Sequence, residues 1–233
     1  MKNKSSRLNI EKIIAESLTV HKEQRKEYYL FGKLFYLHDH FIHQIDVQSV
    51  IDNIELTLPP HLFEEIDEFM VGNFDFLYER SLEAMYRDGA IYITNQIYTE
   101  KDLLENIIHE TSHSLEPRFG EYIYGDMRVH SEFIGKRKRL EKILQSEGYG
   151  TSQYNFSEVE YEEEFDEFLL KTVGYPALNN MAMGLFVSPY SITSLREYWA
   201  VGFEDYFVGD KKYLKTVIPQ LFNKIEGVII YDM

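Results

Sequence analysis

The stretch that decides how this chain is read is Thr99-Glu100-Lys101-Asp102-Leu103-Leu104-Glu105-Asn106-Ile107-Ile108-His109-Glu110-Thr111-Ser112-His113-Ser114-Leu115-Glu116. Thr99 and Asp102 stand at capping-box spacing, where hydroxyl and carboxylate each satisfy a backbone N–H that the helix start leaves open. Leu103, Leu104, Ile107, Ile108 and Leu115 recur at the helical period. The spacing predicts a helix over 99–116, stopped by Pro117 because the residue before a proline resists helical geometry. Within it, His109 and His113 lie about 40° apart around the axis and about 6 Å apart along it. Both imidazoles therefore reach one ion at the ~2 Å bond length that zinc requires. Glu110 flanks them, placed to take a proton from water rather than to bind the ion.

Outward from this helix, Ala90–Thr94 reads as a short strand leading into it. Upstream, 28–37 is rich in strand formers with Gly32 near its middle, a strand or hairpin, and 10–29 reads as a polar amphipathic helix. Pro59-Pro60 opens a short helix over 61–69 and marks a candidate boundary. The spacing of Leu77, Leu82 and Met85 predicts a helix over 74–87, closed by Asp88-Gly89. Helices are expected downstream at 129–146, 162–171, 193–208 and 211–225. Strands first and helices later give an α+β fold, a small sheet with a mostly helical C-terminal part.

Composition narrows the chemistry. The 233 residues contain no cysteine, which removes disulfides, thiol nucleophiles and thiolate zinc sites, so any metal is held by His, Asp and Glu. With 24 basic and 39 acidic residues the net charge is −15, which argues against nucleic acid or an anionic membrane as partner and favours a neutral or basic peptide. The one dense basic run, Lys136-Arg137-Lys138-Arg139, reads as a solvated helix face. No segment reads as a signal peptide or approaches the ~20 apolar residues of a membrane span, so the expectation is a cytoplasmic or virion-associated protein.

A catalytic zinc needs a third protein ligand and one open position. The Gly and third His of metzincins are absent: Glu116 and Phe119 occupy those places. Glu132 follows His113 by nineteen residues, as in thermolysin-like enzymes, but Lys136 stands where their Asp is expected. Glu197 is the other candidate, with Glu204 one heptad further on. Ser194 and Glu197 also have capping-box spacing, so Glu197 has an ordinary structural reading as well.

Tyr190, followed seven residues later by Glu197 and then Tyr198-Trp199-Ala200 and Phe203, resembles the zinc-binding end of the anthrax lethal factor catalytic domain and its relatives, among them clostridial proline-specific endopeptidases. The resemblance runs from Ala90 onward and is specific at its two motifs. It implies a zincin-like zinc metallopeptidase holding one Zn2+ on His109, His113 and Glu197. Glu110 would be the general base, and Tyr190 would donate its hydroxyl to the oxyanion. The family places its Glu closer to the second His; here the gap is 84 residues (113 to 197), as an insertion over 129–175 would produce. The implied organisation is an N-terminal accessory region, 1–58, and a metallopeptidase domain, 59–233, acting on a peptide or protein. In such folds the strand before the motif helix often pairs with extended substrate, which assigns that role to Ala90–Thr94.

The competing reading is a non-catalytic interaction protein that keeps the fold and a structural metal; Glu110 argues against it, since a structural ion needs no base. His38, His40 and His43 fit no single ligating face and read as structural or surface groups. The acidic run Glu158, Glu160, Glu162, Glu163, Glu164, Asp166 and Glu167 lacks the Gly-turned loop of a calcium site. Tyr122 and Tyr124 read as packing residues, and His61 and His130 as ordinary polar or packed histidines.

Overall fold

Two tight turns build the sheet. The computed structural model describes residues 26–231. Strands β1 (Glu27–Leu30) and β2 (Lys33–Leu37) meet at Phe31-Gly32, with φ of 48° and 76°. Positive φ at both central residues is the two-residue hairpin turn whose twist matches the strands, and glycine meets it without strain. Helix α1 (Val47–Thr57) and a 3-10 turn (Pro60–Phe63) lead to β3 (Glu68–Gly72) and the short helix α2 (Asp75–Tyr78). A second hairpin joins β4 (Ala84–Arg87) to β5 (Ala90–Thr94) through Asp88-Gly89, with φ of 51° and 84°.

The strand order is β1-β2-β3-β5-β4, parallel at β2/β3 and β3/β5 and antiparallel at both outer pairs. Phe35, Leu37, Phe69, Val71, Ile91 and Ile93 alternate along three adjacent strands and are all buried. Their common face packs into a core shared with α1 and with helix α3 (Glu100–Tyr124). Each such side chain contributes about 1.5–3 kcal/mol on burial. Because β2 pairs with β3, the sheet runs across the 58/59 boundary and its two sides share that core.

Most of the remaining chain is helical: α4 (Arg128–Ser146), α5 (Glu163–Glu167) continuing as a π-helical turn (Phe168–Val173), α6 (Tyr175–Met181), a 3-10 turn (Tyr190–Ile192), α7 (Leu195–Val208), α8 (Lys211–Val217) and α9 (Pro219–Ile229). The fold is α+β with a small mixed five-stranded sheet and a largely helical remainder. No described helix is long and apolar enough to cross a membrane.

Several expectations need correction. Residue 26 is irregular and 27–29 are strand, and the rest of the helix expected over 10–29, residues 10–25, lies outside the described residues. The expected helix over 61–69 is a 3-10 turn followed by β3, and that over 74–87 is helical only at Asp75–Tyr78 before becoming β4. Asp88-Gly89 is thus a hairpin turn rather than a helix end. Pro117 lies inside α3, because the apolar stripe that includes Leu115 continues past it as Phe119 and Ile123, all buried. Burial of that stripe outweighs the ~3 kcal/mol that an interior proline costs. Pro219, by contrast, divides the segment expected over 211–225 into α8 and α9 and occupies the first turn of α9.

The basic run is not a solvated face. Successive helical residues rotate by about 100°, so four in a row cannot all face water. Lys136 and Arg137 fall on the stripe of Phe133, Leu140 and Leu144 and are buried. Lys136 Nζ donates to the carbonyls of Leu185 and Val217. Arg137 donates to those of Glu158 (2.6 Å) and Asn155 (3.3 Å), its guanidinium 4.1 Å from the Phe165 ring centre. Burial pushes both pKa values down, that of Arg137 to about 10, so its guanidinium remains charged near pH 7.

Candidate metal centre

The capping box expected at the start of α3 is present: Thr99 Oγ1 accepts from Asp102 N, and Asp102 Oδ2 accepts from Thr99 N, both at 3.1 Å. With the register so fixed, Leu103, Ile107 and Ile108 turn into the core, while His109 and His113 face α7 and are largely buried. The two helices run antiparallel along the contact: His109 meets Glu204, His113 meets Glu197, and Glu116 meets Arg196. The buried Trp199 locks the pair, its indole N–H donating to Ser112 O at 3.0 Å. Gly202 lets α9 approach the other side of α7, since a Cβ there would sit 2.6 Å from Leu221 Cδ2 and 2.9 Å from Ile218 Cδ1.

Arg137 supports the start of α7 from a distance. It holds the Glu158 carbonyl, and the next carbonyl, Val159 O, accepts from Leu195 N at 2.8 Å. Ser194 then caps α7, its hydroxyl accepting from Glu197 N at 3.1 Å. The capping role suggested by the Ser194/Glu197 spacing therefore belongs to the Glu197 backbone, and its side chain turns toward the histidines.

His109 Nε2 lies 3.2 Å from Glu197 Oε2, and His113 Nε2 lies 3.7 Å from Glu197 Oε1. One ligand-capable atom from each of His109, His113 and Glu197 falls within 4.8 Å of the other two. Around a tetrahedral zinc with bonds near 2.0–2.1 Å, ligand atoms sit about 3.3 Å apart, so separations and donor set both suit that ion. Burial disfavours the charged form of His109, but its hydrogen bonds to the accepting carboxylates of Glu197 and Glu204 and the charge of Glu110 outweigh it and lift the pKa to about 10. Burial likewise pushes Glu197 up, and its bond to His109 with the His113 charge holds it below the usual carboxylate range. The field at this spot favours a cation.

Glu110 is buried beside the pair, its Oε2 accepting the backbone N–H of Tyr86 at 2.6 Å. Arg87 and Ala90 flank the two-residue turn as a bonded pair, so the next pair, Tyr86/Ile91, directs its N–H away from β5. The outer edge of β4 thus runs past Glu110. Tyr190, in the 3-10 turn before α7, has its ring centre 6.1 Å from that of His109. Burial, reinforced by the charges of Glu197 and Glu110, pushes its hydroxyl pKa well up, which keeps it protonated as a donor.

Glu132 is elsewhere. Its carboxylate accepts from Tyr198 Oη (2.9 Å), Gln220 N (2.9 Å) and Leu221 N (3.3 Å), closing the start of α9. Glu204 reaches His109 through Nδ1 at 3.1 Å, on the opposite side of the ring from Glu197. Ala90–Thr94 is bonded on both edges, by β3 and β4, which excludes the expected pairing with substrate; the edge strands are β1 and β4, and β4 is the one beside Glu110.

Sequence reasoning missed Glu116, Arg196 and the polar role of Tyr124. Burial pushes Glu116 up, but bonds from His113, Arg196 and Tyr124 hold it low. Tyr122 is half exposed beneath Lys224, whose Nζ lies 4.5 Å from its ring centre. The outlying histidines are peripheral: His38 bonds Asp39, His43 stacks on Tyr98, and His61 bonds Val228 O. No known family model, curated protein or solved structure matched this chain.

Proposed function

We propose that this protein is a zinc-dependent endopeptidase with a zincin-like catalytic fold, binding one Zn2+ through His109 Nε2, His113 Nε2 and the Glu197 carboxylate. The observation that carries the reading is that two imidazoles from one helix and a carboxylate from another converge while a buried, unligating carboxylate stands beside them. Bound zinc would polarise the scissile carbonyl and acidify the attacking water. Glu110 takes that water's proton and delivers it to the leaving amine, held in position by the Tyr86 N–H. Tyr190 donates its hydroxyl to the oxygen that gains charge; preorganised donors of this kind act most strongly where water is excluded. An extended substrate would lie along the outer edge of β4, which pairs with no other described strand, where backbone pairing supplies affinity and side-chain pockets supply selectivity.

Zinc-loaded protein should cleave members of a broad peptide library, lose that activity to a chelator and regain it with one equivalent of Zn2+. Failure to cleave any peptide would overturn the assignment. Tyr190→Phe removes only the hydroxyl, so kcat should fall by about 10²–10³ with KM little changed. An unaltered kcat would remove Tyr190 from the reaction.

A further inference from the structure

We infer that Glu204 and Glu116 are positioning residues for the two imidazoles, and that Arg196 and Tyr124 hold Glu116 in that task. The inference rests on the metal reading above and identifies what orients the proposed ligands. Both rings divide their nitrogens the same way. Each Nε2 faces Glu197, and each Nδ1 faces a different carboxylate: Glu204 Oε2 at 3.1 Å from His109, Glu116 Oε2 at 3.4 Å from His113.

The chemistry of imidazole makes that division consequential. A ring that ligates through Nε2 carries its remaining proton on Nδ1, and an acceptor there selects the tautomer, fixes the ring plane and raises the basicity of the ligating nitrogen. The two acceptors arrive by different routes. Glu116 lies one turn beyond His113 on α3, whereas Glu204 comes from α7, two turns beyond Glu197. Thus α7 grips His109 from both sides, with Glu197 on one nitrogen and Glu204 on the other.

Glu116 is itself anchored. Its Oε2 accepts from Arg196 Nε at 2.7 Å and lies 2.7 Å from Arg196 Nη2, while Oε1 accepts from Tyr124 Oη at 2.8 Å. The side-on guanidinium and the phenol leave the carboxylate little freedom to turn from His113. Arg196 also adjoins Glu197, so one ion pair sets the start of α7 against α3 and orients a ring on the facing helix.

The test is a Zn2+ titration against a competing chelator, with imidazole nitrogen NMR of the zinc-loaded protein reporting the tautomer. Glu204→Ala and Glu116→Ala should each weaken zinc binding by about 10–100-fold. Glu204→Gln and Glu116→Gln keep shape and an acceptor oxygen, so they should recover most of that affinity and retain the Nδ1–H signal. Arg196→Met should weaken zinc and add little to Glu116→Ala, because the two act through one ring. Unchanged affinity in both alanine variants, with wild type binding one zinc, overturns the positioning roles and leaves the metal site standing. Gln variants that are as weak as Ala while folded overturn the tautomer argument. A wild type that binds no zinc overturns the metal reading and this inference with it.

Discussion

Glu110→Gln is expected to bind one zinc as tightly as wild type and to lower kcat for peptide cleavage by about 10²–10⁴, the usual contribution of a positioned general base. The carboxylate is buried and accepts the Tyr86 N–H. A carboxamide of the same shape still accepts that bond through its oxygen, so the packing between β4 and α3 persists. What it loses is the ability to hold a proton in transit from water to the departing amine. Zinc stoichiometry and single-turnover cleavage, measured on one preparation, separate the two effects. Activity equal to wild type would remove Glu110 from the reaction. Loss of zinc together with activity would make it a ligand instead.

The result also discriminates between classes of function. A structural zinc in an interaction protein has no use for a neighbouring base, and such a protein would show zinc binding without cleavage in either form. Burying a carboxylate is costly unless it is bonded, and here one backbone N–H does that directly against the two histidines. The arrangement would be a liability in a purely structural centre.

The parts legible in the sequence were those set by local rules. The capping box, the apolar stripe and the His109/His113 spacing all act within one helix, and α3 formed in the expected register. Glu197 stood beside Glu132 and Glu204 as a candidate until a resemblance at Tyr190–Glu197 favoured it, and its carboxylate lies between the two imidazoles. Local signals failed where they carried two meanings. Asp88-Gly89 suits a helix end, but between Ala84–Arg87 and Ala90–Thr94 it is the stronger signal of a two-residue hairpin, which the alternation of flanking residues could have revealed. Pro117 marks a boundary only while nothing beyond it must be buried. Phe119 and Ile123 reversed that balance.

Other features are spatial and leave no local trace. Arg196 meets Glu116 across eighty residues, and Glu204 meets His109 across ninety-five. Neither pair follows from periodicity, because each exists only once α3 and α7 lie antiparallel. The basic run misled for a related reason. Charge density along the chain suggested solvent, while the helical stripe of Phe133, Leu140 and Leu144 carried Lys136 and Arg137 inward, where carbonyls from the 155–159 loop and from Leu185 and Val217 receive them.

Glu197→Ala and Glu132→Ala should fail in opposite ways, and the contrast tests the third ligand directly. Structural zinc sites of four ligands bind with an apparent 10–16 kcal/mol, so one ligand accounts for roughly 3–4 kcal/mol, and Glu197→Ala should weaken zinc by about 10²–10³-fold. The backbone N–H of residue 197 still reaches Ser194, so α7 keeps its cap and the variant remains folded. Glu132→Ala should leave zinc affinity unchanged and cost about 1–3 kcal/mol of stability in urea. It strands the Gln220 and Leu221 N–H groups at the start of α9 and the hydroxyl of the fully buried Tyr198, whose pKa is raised by burial and by the Glu132 charge. The reverse pattern, zinc lost in Glu132→Ala and kept in Glu197→Ala, would sink the proposed ligand set. The geometry leaves little room for it, because the Glu132 carboxylate already bonds three donors around α9, whereas the two Glu197 oxygens each face an imidazole nitrogen, and among the described residues Glu197 is the carboxylate that clusters with both histidines.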